Sequence, residues 1–155
     1  MKVAVLFILI SIIISCNNKN DCDLPLQIIG KGEIISNGLV SNPLTTFEMK
    51  SHAHIINDTS QNIFNLKVSF DGGLNYLPID FNQYTLLGIY TREDCQVRFE
   101  RNVYKDITNK KYDYIIKVIQ CGTCETNAES MNWILIHKMP SDYNVFFSIE
   151  YKEIK

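Results

Sequence analysis

Charge of one sign is what this chain most lacks. Its 155 residues carry 15 basic and 17 acidic side chains, a formal net charge of −2, and arginine occurs only at Arg92, Arg98 and Arg101. So balanced a chain builds no basic face that would follow a phosphate backbone, which argues against nucleic acid as a partner. No glycine-rich loop precedes a helix, and a phosphate cradle is not expected. Gly-x-Ser-x-Gly and Ser-x-x-Lys are both missing, and no cysteine stands in a context that pairs it with a histidine, so no activated nucleophile is assembled. The carboxylate pair Glu93 and Asp94 falls in a charged turn, where solvation is its expected state. Internal repeats, low-complexity tracts and a second domain boundary are lacking, and no residue pattern implies a cofactor. Long apolar runs are lacking too. The longest, Val3 to Ile14, spans twelve residues, against about 20 for a bilayer-crossing helix.

That short run has a meaning of its own. Residues 1 to 21 begin with the positive Lys2, continue through the apolar stretch, and pass Ser15 and Cys16 into a polar segment. This is the order of a secretory signal. Ile13-Ile14-Ser15-Cys16 resembles the lipobox of bacterial lipoproteins. The resemblance implies cleavage before Cys16, acyl chains on that cysteine, and a membrane hold well beyond that of a single chain. It also implies sorting to the outer membrane, because Asn17 stands where Asp would retain a lipoprotein at the inner one. The expected organisation is a signal peptide over 1–15, a lipidated cysteine and tether over 16–23, and one domain over 24–155. Without Lys2 the mature chain keeps 14 basic against 17 acidic side chains, a formal charge of −3. About 140 residues remain, enough for one core and too few for two domains.

Beyond the tether the apolar residues mostly recur with period two, the mark of strands with one buried face. Tyr143 to Lys152 places Val145, Phe147, Ile149 and Tyr151 on one side and is expected to bury them. Gln96 to Tyr104 alternates likewise. Tyr112 to Gln120, apolar on both faces, reads as a central strand, with Asp106 to Lys111 as the hairpin loop between the two. Trp133 to Met139 is a further strand, stopped by Pro140. Gln27 to Ile35, Phe47 to Ile56 and Tyr84 to Thr91 are weaker strand signals. One stretch departs from this pattern: Asp58 followed by Ile63, Phe64 and Leu66 reads as an N-cap opening a short amphipathic helix that covers a sheet. Asp71-Gly72-Gly73 then turns the chain. The fold class is mainly β within α+β: one small antiparallel β-rich domain with one short helix.

From Ile55-Ile56-Asn57-Asp58 through Pro78-Ile79-Asp80-Phe81 and Leu86-Leu87-Gly88-Ile89-Tyr90 to the closing strand, residues 55–150 resemble the C-terminal domain of the protease complex subunit PrcB. The resemblance implies a small, β-rich, non-catalytic module.

Four cysteines remain once Cys16 is acylated: Cys22, Cys95, Cys121 and Cys124. The Cys121-x-x-Cys124 spacing is that of thioredoxin-like redox motifs, whose first thiolate needs a helix N-terminus to lower its pKa. Here it follows a strand, and no βαβ context surrounds it. In an exported domain the same cysteines form structural disulfides. If the two strands of the hairpin run antiparallel, Cys95 meets the Cys121 to Cys124 segment. A bond to Cys124 is the expected pairing, with the remaining cysteine available to Cys22. A metal site would need further ligands at zinc spacing. His52 and His54 lie on one face of a strand signal, a geometry that can hold a metal through two nitrogens, though two solvated histidines are the simpler reading. His137 shares a face with Trp133 and Leu135 and is expected to be at least half-buried. Tyr112, Tyr114 and Phe146 are candidates for a binding patch.

Two functional readings emerge. One is a non-catalytic lipoprotein of the cell envelope that binds a protein partner. The other is a membrane-tethered thiol–disulfide oxidoreductase acting through Cys121 and Cys124.

Overall fold

A computed structural model describes residues 27–28, 32–36, 39–41, 50, 53–120 and 127–153. In chain order the strands are β1 (Gln27–Ile28), β2 (Ile34–Ser36), β3 (Leu39–Ser41), β4 (His54–Ile56), β5 (Lys67–Ser69), β6 (Leu77–Pro78), β7 (Tyr84–Glu93), β8 (Val97–Asp106), β9 (Lys111–Gln120), β10 (Ala128–His137) and β11 (Asn144–Glu153). They form three sheets, ordered β1-β8-β9-β11, β2-β10-β7-β4 and β3-β5-β6. Among the described residues the domain is β-rich with almost no helix, as the alternation predicts.

The long strands arise where the period-two pattern is strongest. β8 and β9 form the expected antiparallel hairpin, with Val97 opposite Gln120 and Asp106 opposite Lys111. Asp106 caps its turn by accepting the Asn109 N–H at 2.9 Å. β7 and β10 pair antiparallel over ten residues, from Ala128 opposite Glu93 to His137 opposite Tyr84. β11 then returns to lie parallel to β9, Asn144 beside Lys111. Parallel neighbours require a crossover, and β10, in the adjacent sheet, supplies it.

Two cores result, one on each side of the β7–β10 pair. Toward β8 and β9 lie Leu87, Ile134 and Ile136, packed with Phe99, Val103, Tyr114 and Ile116. On the opposite side Leu86, Trp133 and Leu135 pack with Ile56, Leu66, Val68 and Phe81. Between the sheets sits a polar cluster. Asn132 is fully buried. Its Oδ1 accepts from Arg101 Nε at 3.1 Å, its Nδ2 donates to Thr91 Oγ1 at 2.9 Å, and its carbonyl accepts the Tyr114 hydroxyl at 3.0 Å. Burial lowers the Arg101 guanidinium and raises the Tyr114 phenol, each toward its neutral form.

Several expectations are corrected. The stretch after Asp58 makes one 3₁₀ turn, Thr59–Gln61, rather than an amphipathic helix. The cap itself is as expected, Asp58 Oδ1 accepting from Gln61 N at 3.0 Å. Asn62 ends it: its side chain accepts from Leu66 N at 2.9 Å and donates to Leu66 O at 3.0 Å, bending the chain back. The Gln27 to Ile35 signal resolves into β1 and β2. Of Phe47 to Ile56, only His54–Ile56 is strand among the described residues. β10 begins at Ala128, five residues before Trp133, and ends at His137, short of Met139. On β11, Val145, Phe147 and Ile149 are half-buried against the core, but Tyr151 is 67% exposed.

Gly88 is required by packing. A Cβ there would stand 2.1 Å from Cε3 of Trp133, whose ring lies across the β7 backbone. Gly88→Ala must push that ring away, and overpacking of this kind costs about 1 to 3 kcal/mol. Urea unfolding followed through Trp133, the sole tryptophan, measures the loss. An unchanged midpoint would mean that the ring does not rest on Gly88.

Candidate binding surface

Between β5 and β6 the chain makes a loop that is tightly tied yet shows apolar side chains to solvent. The two strands are joined with Val68 opposite Leu77. Asp71 organises what lies between them. Its Oδ1 accepts from Ser69 Oγ at 2.6 Å and from Asn75 N at 3.0 Å, and its Oδ2 accepts from Asn75 Nδ2 at 2.6 Å. Ser69 Oγ in turn accepts the Gly73 N–H at 2.8 Å. Gly72 and Gly73 have φ of 77° and 92°, left-handed conformations that favour glycine. At Gly72 a Cβ would meet nothing within 4 Å, so backbone angle rather than space selects the residue. The donors around Asp71, Ser69 first, lower its carboxyl to about 2.

Held this way, the loop exposes Phe70 (52%), Leu74 (83%), Tyr76 (39%) and Leu77 (54%). The Phe70 ring lies 6.3 Å from that of Tyr84, which stacks at 6.4 Å on His137. Aromatic surface therefore continues from the loop onto the ends of β7 and β10. Exposed apolar side chains gathered on one ordered loop make this the candidate surface for a partner. Sequence reasoning identified the Asp71-Gly72-Gly73 turn and missed the apolar residues beside it. They carry no period, and their place outside the core was the available signal.

The other candidates fare differently. Tyr112 and Tyr114 are 2% and 0% exposed, so they belong to the core and not to a patch. Phe146, at 57%, is exposed as expected. His137 is exposed rather than half-buried, because it ends β10 beyond the core. His54 is half-buried, with Phe64 edge-on at 5.5 Å and the Trp133 ring at 5.6 Å. His52, Cys16, Cys22, Cys121 and Cys124 lie outside the described residues. Among the described residues no group of histidine, cysteine and carboxylate side chains is placed to hold a metal. Cys95, between β7 and β8, is half-buried. Its sulfur accepts from Gln120 Nε2 at 3.1 Å, and it borders a recess of about 270 Å³ together with Val97, Val118 and Tyr151.

A second recess, about 230 Å³ and polar, is bordered by Asp58, Asp80 and Lys138. Its charges are occupied locally. Asp80 accepts from Asn82 N at 3.0 Å and Gln83 Nε2 at 2.8 Å, and Lys138 donates to the Phe81 carbonyl at 2.8 Å and to that of Asn57. These bonds pin the 3₁₀ turn to the end of β10.

The Asp71 bonds favour the ionised carboxylate. With a folded value near 2 below the ordinary one of about 3.9, the contribution is complete above about pH 4 and is lost as pH falls toward 2. The amide shift of Asn75, followed by NMR, should stay constant from pH 7 to 4 and move only below it. A transition centred near 4 would show that the Asp71 bonds are not made.

No protein-family model matches the chain, and neither a curated protein nor a solved structure matches it.

Proposed function

We propose that this protein is a non-catalytic lipoprotein of the cell envelope, held on the outer membrane by acyl chains on Cys16, whose loop 70–77 docks a protein partner. One observation carries the docking reading: Phe70, Leu74, Tyr76 and Leu77 are all exposed on a loop fixed by four hydrogen bonds to the Asp71 and Ser69 side chains. An ordered loop loses little entropy on binding, and its apolar side chains leave water only when something covers them. The chemistry suits a partner that offers an apolar or aromatic cleft. The anchor reading rests on the lipobox resemblance.

A disulfide from Cys95 to Cys124 belongs to the same reading. Its support is local. Val97 stands opposite Gln120, and Gln120 reaches the Cys95 sulfur, so Cys95 stands at the open end of the hairpin. Closing a loop of nearly 30 residues contributes about 3 to 4 kcal/mol in the chain-entropy description. Peptide mapping of the unreduced protein should recover Cys95 and Cys124 in one linked fragment. Recovery of Cys121 linked to Cys124, with turnover in an insulin-reduction assay, would favour the oxidoreductase instead.

Tagged protein recovered from its native envelope tests the main proposal. Wild type should sediment with membranes and bring a partner in stoichiometric yield, and Cys16→Ala should appear in the soluble fraction. Leu74→Asp should remain in membranes with an unchanged thermal midpoint, Phe70→Asp should remain there folded, and both should lose the partner. Retention of the partner by both loop variants would remove the loop from the reading.

A further inference from the structure

From the edge strand β11 we infer that two copies of this chain associate through it, antiparallel about a two-fold axis, joining their outer sheets into one. Among the described residues every other sheet edge is short: β1 and β6 have two residues, β2, β3 and β4 have three. Short edges are a standard protection against unwanted pairing. β11 has ten residues. It contains no proline, and its register with β9 runs unshifted from Asn144 to Glu153. Neither of the usual interruptions protects it.

The direction of its backbone groups follows from one bond. Asn144 N donates to Lys110 O at 3.0 Å, so the even-numbered residues turn their N–H and C=O toward β9. Alternation then turns those of Val145, Phe147, Ile149 and Tyr151 to the outer edge, which no described strand pairs. The same residues form the inner row, and that row is incompletely covered. On β9 the matching residues Tyr112, Tyr114, Ile116 and Val118 are 0 to 2% exposed. On β11, Val145, Phe147 and Ile149 are only half-buried, and Tyr151 is 67% exposed. Whatever pairs with this edge must be extended and apolar at every second position.

β11 itself meets that description. In an antiparallel pairing centred on Ile149, Ile149 faces its own copy and Phe147 faces Tyr151 twice. On the outer side Lys152 faces Phe146, a cation over an exposed ring, and Glu150 faces Ser148. No like charges stand directly opposite. Centring on Glu150 would set two carboxylates together, which is unfavourable. The pairing is isologous, as a two-fold dimer requires.

The test uses the full chain in detergent micelles, with its mass measured by sedimentation equilibrium across protein concentration. Wild type should behave as a reversible dimer. Ser148→Glu sets a carboxylate opposite Glu150 at two symmetric places and should weaken the dimer roughly 2- to 30-fold, whereas Ser148→Lys should tighten it by a similar factor. Ser148 is exposed, so both variants should keep the wild-type circular dichroism spectrum. Tyr151→Pro, which removes one outward donor and leaves the β9 ladder intact, should be monomeric. A wild-type monomer at every concentration overturns the inference and leaves the edge to an extended segment of another protein. Weakening by both Ser148 variants overturns the pairing centred on Ile149.

Discussion

Along its central residues the β7–β10 pair has no side that faces water. Leu86, Leu87, Ile134, Leu135 and Ile136 are between 0 and 3% exposed, and they point alternately into the two cores. A one-residue slip of either strand would exchange the side chains of one core for those of the other. A slip one way would set Trp133 where Asn132 now bonds Arg101 and Thr91, and a slip the other way would set Asn132 opposite Gly88 with its polar atoms unpaired. Both errors are costly, the first sterically and the second through buried unsatisfied groups. The polar cluster thus fixes register from one side while Trp133 over Gly88 fixes it from the other. The remaining strands inherit their positions from this pair. β4 and β2 attach to its edges, the β8–β9 hairpin covers one face, and β5 covers the other.

How legible each element was depends on how many of its faces are buried. β8 and β11 were plain in the sequence because each has one dry and one wet row. β7 and β10 are buried on both faces along their central residues, so they read as apolar runs whose limits a period does not mark: β10 starts before Trp133 and stops before Met139. β9 is apolar on both faces, so its sequence alone does not say which row is inner, and Tyr112 and Tyr114 look like candidates for the outer one. Parity assigns both tyrosines to the inner row with Ile116 and Val118. Strands of two or three residues are too short to show a period, and β1, β2, β3, β5 and β6 were missed or merged for that reason. The parallel placement of β11 beside β9 depends on contacts across the molecule, and nothing in either segment encodes it locally.

Loop 70–77 shows the same limit. Asp71-Gly72-Gly73 was recognisable as a turn by residue type, but the exposure of Phe70 and Leu74 depends on where β5 ends. Val68 and Ser69 are 1% exposed, and one residue later the chain leaves the core. Apolar residues that would be buried in a longer strand are thereby carried into solvent. The Asp71 bonds keep them there, instead of letting the loop collapse back onto the sheet.

The acidic side chains are used to the same end across the described part of the domain. Asp58, Asp71, Asp80 and Asp106 each accept a backbone N–H two to four residues onward. Hydrogen bonds of this kind stabilise the charged form, and the carboxyls of Asp58, Asp71 and Asp106 are all lowered, chiefly by side-chain donors: Ser60, Ser69 and Asn109 respectively. A general acid needs the opposite, a carboxyl whose proton is held near neutral pH by burial or by a neighbouring negative charge. These aspartates are committed to shaping turns. Turns so fixed can present apolar residues in a defined arrangement, which is what a binding surface requires and what proton-transfer chemistry would not.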